Sequence, residues 1–210
     1  MTTRVQRAIE QGDIGDLRAR LDADPALANT IIRWGPNGKN PSVPLHYVCD
    51  MVFEGQLDAA AALPLAEALL AAGADINALH EYHGDTPLIG AASLLVEDVG
   101  LRLVDAGADV TARGLFGATA LHWASMHGLT RLAGALIEAG ADIQLPDTEH
   151  DGSPLGWAVH GWKENKAGVP RTQPDVARLL VAAGAPVSPE LRDFLDPEAD
   201  APFLRAIEQA

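Results

Sequence analysis

One cysteine, Cys49, stands alone in the 210-residue chain, so no internal disulfide can form and a reducing, cytoplasmic setting is expected. Basic side chains are scarce too: 15 Lys and Arg stand against 29 Asp and Glu, a net charge of −14. Neutralising a phosphate backbone takes cations, so this balance argues against a nucleic-acid partner. It suits a basic protein surface or a cationic small molecule, and it also serves solubility alone. Long apolar runs are missing. The most apolar window, 57–74, is interrupted by Asp58, Pro64 and Glu67, so no membrane span is expected. Residues 1–7 have no apolar signal core. Nucleophile elbow, phosphate loop, cysteine–histidine pair and dinucleotide fingerprint are all lacking, and the reading assigns no cofactor.

What is present is a repeated unit, clearest at residues 117–143. Ala120 to Met126 has apolar residues at helical spacing, broken by His127-Gly128, and Leu129 to Ala139 places Leu132, Leu136 and Ile137 on one face. Gly140 supplies a left-handed helix end. Neither helix is long enough to stand alone, which predicts neighbours of the same kind. The leucine that opens the first helix recurs at Leu45, Leu88, Leu121 and Leu155, and the closing Gly-Ala at Gly73, Gly107, Gly140 and Gly184. Leu88 to Leu121 spans 33 residues and Gly73 to Gly107 spans 34.

This period, with Asp85-Thr86-Pro87-Leu88, Ala120-Leu121-His122-Trp123-Ala124 and the Gly-Ala-Asp triplets at 73–75, 107–109 and 140–142, resembles the ankyrin repeat. The resemblance implies an all-α solenoid of stacked helix-turn-helix units with short hairpin-like loops. One domain, 1–210, divides into an N-terminal cap (1–40), repeats at 41–77, 84–110, 117–143 and 151–187, and a C-terminal cap (188–210). In the N-terminal cap, residues 29–43 with the turn-rich Trp34-Gly35-Pro36-Asn37-Gly38 predict a first hairpin-like finger. In the C-terminal cap, Phe194, Leu195, Phe203, Leu204 and Ile207 are expected to close the end of the stack. Nine extra residues in the first repeat and ten in the fourth are expected as insertions between paired helices, at about 53–62 and 163–172.

In such stacks the first helices and loop tips line the contact face. The resemblance therefore implies contacts at Asp50, Met51, Ser93, Leu94, Met126, His127, His160 and Gly161. Tips at Trp34, His80–His83, Leu115-Phe116 and Glu149–Asp151 add to them. The binding set is Trp34, Asp50, Met51, His83, Leu94, Met126, His127, His160 and Trp162. His46 and His122 fall at the family's helix-start histidine, which ties neighbouring turns together, but His46 has Val43 in place of the partner threonine. Trp123 and Trp157 are expected to pack between repeats and to narrow or deepen the groove. His80-x-x-His83 reads as a solvated tip, not a metal site, because structural zinc needs four converging ligands.

Two functions remain. The first is a non-catalytic binding module offering an aromatic- and histidine-rich concave face to another protein. The second is a small-molecule binder or an enzyme of the proton-transfer or lyase type. Its pocket would hold His127, His160, Trp162 and Asp50, with both histidines and Asp50 as catalytic groups. A lid at 163–172, rich in Lys163, Lys166 and Arg171, would favour the second.

Overall fold

A computed structural model describes residues 4–164 and 171–210. The chain separates into two compact units, 1–109 and 110–210. Nearly all regular structure in the described residues is helical.

The first unit opens with α1 (Arg4–Glu10) and α2 (Ile14–Ala23). A hairpin follows, β1 (Ile32–Trp34) paired antiparallel to β2 (Asn40–Ser42), with Ile32 opposite Ser42. This is the finger that the turn-rich segment predicts. Two helix pairs complete the unit: α3 (Pro44–Phe53) with α4 (Ala59–Ala71), and α5 (Pro87–Ser93) with α6 (Glu97–Asp105). First helices pack against first helices and second against second, α1 on α3 on α5 and α2 on α4 on α6. The second unit repeats the scheme with α7 (Ala120–His127) and α8 (Thr130–Glu138), then α9 (Pro154–Glu164) and α10 (Gln173–Ala182). It ends in α11 (Pro189–Phe194) and α12 (Ala201–Glu208), the latter packed on α10.

Local chemistry fixes the ends of these short helices. Thr86 caps α5 by accepting from the Ile89 N–H, with Pro87 in the first turn. Each second helix of the four repeats ends in one motif. Gly73, Gly107, Gly140 and Gly184 take φ of 85°, 84°, 90° and 101°. The next residue donates its N–H back five positions, as from Ala141 to the Leu136 carbonyl at 2.9 Å. A left-handed residue is required there, and glycine adopts it without steric cost. The buried leucines Leu45, Leu88, Leu121 and Leu155, each at most 1% exposed, hold matching positions near the start of the first helices.

Three expectations need correction. The nine extra residues of the first repeat are not an inserted loop. Compared with α5 and α6, three lengthen α3, two the turn and four α4, so seven of the nine extend helices. Phe194 does not close the stack. It is 64% exposed, with Lys163 above its ring, while Leu195, Phe203 and Ile207 are buried. Met51 is not a contact residue, since α3 turns it inward to 1% exposure. Most of the 163–172 segment, including Lys166, lies outside the described residues.

Candidate functional site

Each unit carries one cleft that takes in residues expected to make contacts. In the first unit, Trp34, Asn40, His46, Asp50, His80, Tyr82, His83, Asp85, Ser93 and Leu94 surround about 280 Å³. The helix-start histidine explains its polar character. With Val43 in the threonine position, the His46 ring has no cap to join. Its Nδ1 lies 3.3 Å from the Asp50 carboxylate instead, and Ser42 Oγ donates to the same oxygen at 2.9 Å. The ring edge rests on Gly90, where a Cβ would come within 2.5 Å of Nε2. His80 stacks on His83 at a ring separation of 5.3 Å and lies tilted against His46 at 5.2 Å. His80 itself is half-buried, while Glu81, Tyr82 and His83 of the same tip are exposed as expected, and burial followed by repulsion from His46 lowers the His80 pKa. Among the described residues, no group of three or more His, Cys, Asp or Glu is placed to hold a metal ion.

The second unit's cleft is larger, about 500 Å³, and is lined by Phe116, Trp123, Met126, Asp147, His150, Gly152, Gly156, Trp157 and His160. Helix α7 supplies Trp123 and Met126, α9 supplies Gly156, Trp157 and His160, and the preceding loops supply the rest. Trp123 and Trp157 meet edge to face at 5.0 Å, with Phe116 6.4 Å from Trp123. Phe116 is 40% exposed at the tip of its loop. His127 stacks on the Trp123 ring at 5.9 Å.

What holds α7 and α9 in place is mostly main chain. Thr119 and His122 form a reciprocal cap, and His122 Nε2 reaches the Leu145 carbonyl at 2.9 Å, so the ring ties one turn to the next. Gly161 in α9 lies directly on the Met126 carbonyl. A Cβ at 161 would fall 1.9 Å from that oxygen. Gln173 Nε2 donates to the same carbonyl, and Thr172 Oγ1 to the Gly128 carbonyl.

Asp147 organises the loop beside the cleft, and the sequence reading passed over it. Its Oδ1 accepts the backbone N–H groups of Glu149 and His150, at 2.8 and 2.7 Å. Its Oδ2 accepts the Gly152 N–H at 3.0 Å and the Trp157 indole N–H at 2.8 Å. Burial alone would raise its pKa. The Trp157 and backbone donors more than offset that and hold it at about 2. The residue is 3% exposed and ionised. The available signal was an aspartate opening a loop that ends in Asp151-Gly152, since such residues bond their own following backbone.

The candidate set therefore divides. Trp34, Asp50, His83 and Leu94 line the first-unit cleft, and Met126 and His160 the second. His127 stands behind Trp123. Trp162 is 4% exposed, its indole donating to Asp200 and its ring 6.1 Å from Phe203 of α12. The described charges of the fourth repeat's extra segment are engaged there as well. Lys163 pairs with Asp200, and the Arg171 guanidinium lies 3.5 Å over the Trp162 ring. Of the expected catalytic group, Asp50 lines the first-unit cleft and His160 the second-unit cleft, while His127 stacks on Trp123. Trp123 and Trp157, expected to pack between repeats and to narrow or deepen the groove, are walls of the second-unit cleft.

Known proteins place the repeats in a family. Residues 45–147 match the family described as "Ankyrin repeats (3 copies)". The B-cell lymphoma 3 protein homolog of Mus musculus is 40% identical over 87 residues, covering 40% of this chain and 18% of that protein. The E3 ubiquitin-protein ligase KEG of Arabidopsis thaliana is 34% identical over 87 residues, 41% of this chain and 5% of that protein. The nuclear factor NF-kappa-B p105 subunit of Gallus gallus is 38% identical over 82 residues, 39% of this chain and 8% of that protein. The chain thus spans less than a fifth of the length of each of these relatives. Ankyrin repeats are in general protein-interaction modules. With those repeats running through residues 45–147, this is an ankyrin-repeat protein of the all-α class.

Proposed function

We propose that the chain is a non-catalytic binding module that takes a partner protein on its aromatic and histidine-bearing clefts, chiefly that of the second unit. The observation that carries this reading is the cleft of Trp123, Trp157 and Phe116, where large rings stay partly open to solvent instead of being buried between repeats. Aromatic residues in a partly desolvated hollow are the usual anchors of protein recognition. A net charge of −14 favours a partner with a basic surface. The alternative, a small-molecule enzyme using His127, His160, Trp162 and Asp50, loses support. Asp50 is engaged with Ser42 and His46, and Trp162 is buried against α12.

The test is affinity capture with the whole chain and two variants, Phe116→Ala with His160→Ala as a pair, and Arg18→Ala on the α2 surface. A partner held by the wild type and by Arg18→Ala, but lost from the cleft pair, is the expected result. Capture unaffected by the cleft pair, or micromolar thermal stabilisation by a metabolite with no protein captured, would overturn the reading.

A further inference from the structure

Resting on that reading, we propose that the second-unit cleft selects a quaternary ammonium group, brought into it on a methylated lysine of the partner. Three observations converge. The walls are aromatic: Trp123, Trp157 and Phe116, with Met126 beside them. The negative faces of such rings attract a cation, tryptophan most strongly. A full negative charge lies in the same lining, on Asp147. That carboxylate, however, has no acceptor to spare, because four N–H donors at 2.7–3.0 Å already occupy its two oxygens.

The last point decides between cations. A lysine ammonium carries three N–H donors that water satisfies, and entering the cleft strips that water away. Asp147 cannot replace it, the indoles are donors themselves, the Met126 carbonyl already accepts from Gln173, and the exposed His150 and His160 rings offer at most one accepting nitrogen each, so the three lost water bonds are not all restored. An Nε-trimethylated lysine has no N–H to lose, spreads its charge over three methyl groups, and gains from both rings and carboxylate. An uncharged group of the same shape gains the apolar contact alone. The order of preference is therefore trimethylammonium, then the neutral isostere or the unmodified ammonium.

The indole N–H resonances of the full-length, nitrogen-15-labelled protein report the outcome. Four probes are titrated: Nα-acetyl-trimethyllysine amide, its unmethylated counterpart, its isostere with carbon in place of the charged nitrogen, and choline. The expected result is that the trimethyllysine probe shifts Trp123 and Trp157 with an affinity at least about tenfold above the unmethylated and isosteric probes. Phe116→Leu should weaken it severalfold with thermal unfolding unchanged. Equal affinity for the isostere or the unmethylated probe overturns the proposal, as does no shift with any probe. Choline bound as tightly as the trimethyllysine probe overturns its placement on a partner protein. Partner capture that depends on the cleft, together with no preference for methylation, would leave the binding-module reading standing and remove this one alone.

Discussion

Two histidines at one repeat position show how far a single neighbour sets a side chain's role. His122 has Thr119 and a carbonyl to join, and it becomes a tie between turns. His46 has Val43, and it turns to Asp50. The missing threonine was plain in the sequence. The acid four residues on was noted too, but as a contact residue, because a register of repeats says nothing about which rotamer a ring adopts. Asp147 makes the same point with an energetic consequence. Its pKa of about 2 lies below the ordinary carboxylate value, so its ionised form stabilises the fold. That contribution is complete above about pH 4 and disappears as pH falls through about 2. Tryptophan fluorescence followed down that range should report the 147–152 loop loosening before global unfolding. Trp157→Phe removes one donor to this buried charge. It should cost about 1.5–3 kcal/mol in chemical denaturation and raise the Asp147 pKa, the latter read from its carboxyl carbon shift. His127→Ala, at a partly exposed ring stacked on Trp123, should leave folding intact and weaken partner binding.

At the scale of elements, the periodicity located the helix pairs because each is too short to persist without burying its leucines. Leu121, fully buried in α7, carries that burden. Leu121→Ala should cost about 2–5 kcal/mol by denaturant titration. What periodicity did not reveal was the use made of extra residues. A longer spacing from Leu45 to Gly73 is compatible with a loop or with longer helices, and alanine-rich 59–71 favours helix. The C-terminal cap was similarly half legible. Its apolar residues were evident, but the polar junction of Trp162, Lys163 and the buried Asp200 joins residues 37 and 38 positions apart, which no local pattern encodes. Asp200 is 4% exposed, and although burial opposes it, its hydrogen bonds hold its pKa below the ordinary value. Asp200→Ala should cost about 3 kcal/mol and release α12 first, seen as early hydrogen exchange in 201–208.

For the molecule as a whole, charge is the property most easily read and most readily tested. With −14 spread over 210 residues, association with a basic partner should weaken steadily as salt rises from about 0.05 to 0.5 M. A salt-independent affinity would assign the binding to apolar contact alone. The two clefts differ chemically, one polar with its carboxylate and imidazoles, the other aromatic around a saturated charge. The second is also built to a fixed gauge. Because Gly161 brings α9 down onto the main-chain carbonyl of Met126, the distance between the helices bearing both tryptophans is set by backbone meeting backbone at this point. Under the proposed binding role, a guest would enter a mould already cast, and little freedom would be lost in shaping it. Residue 161 is thereby a calibrating screw: it adjusts the fit of the hollow from outside, without touching anything placed in it.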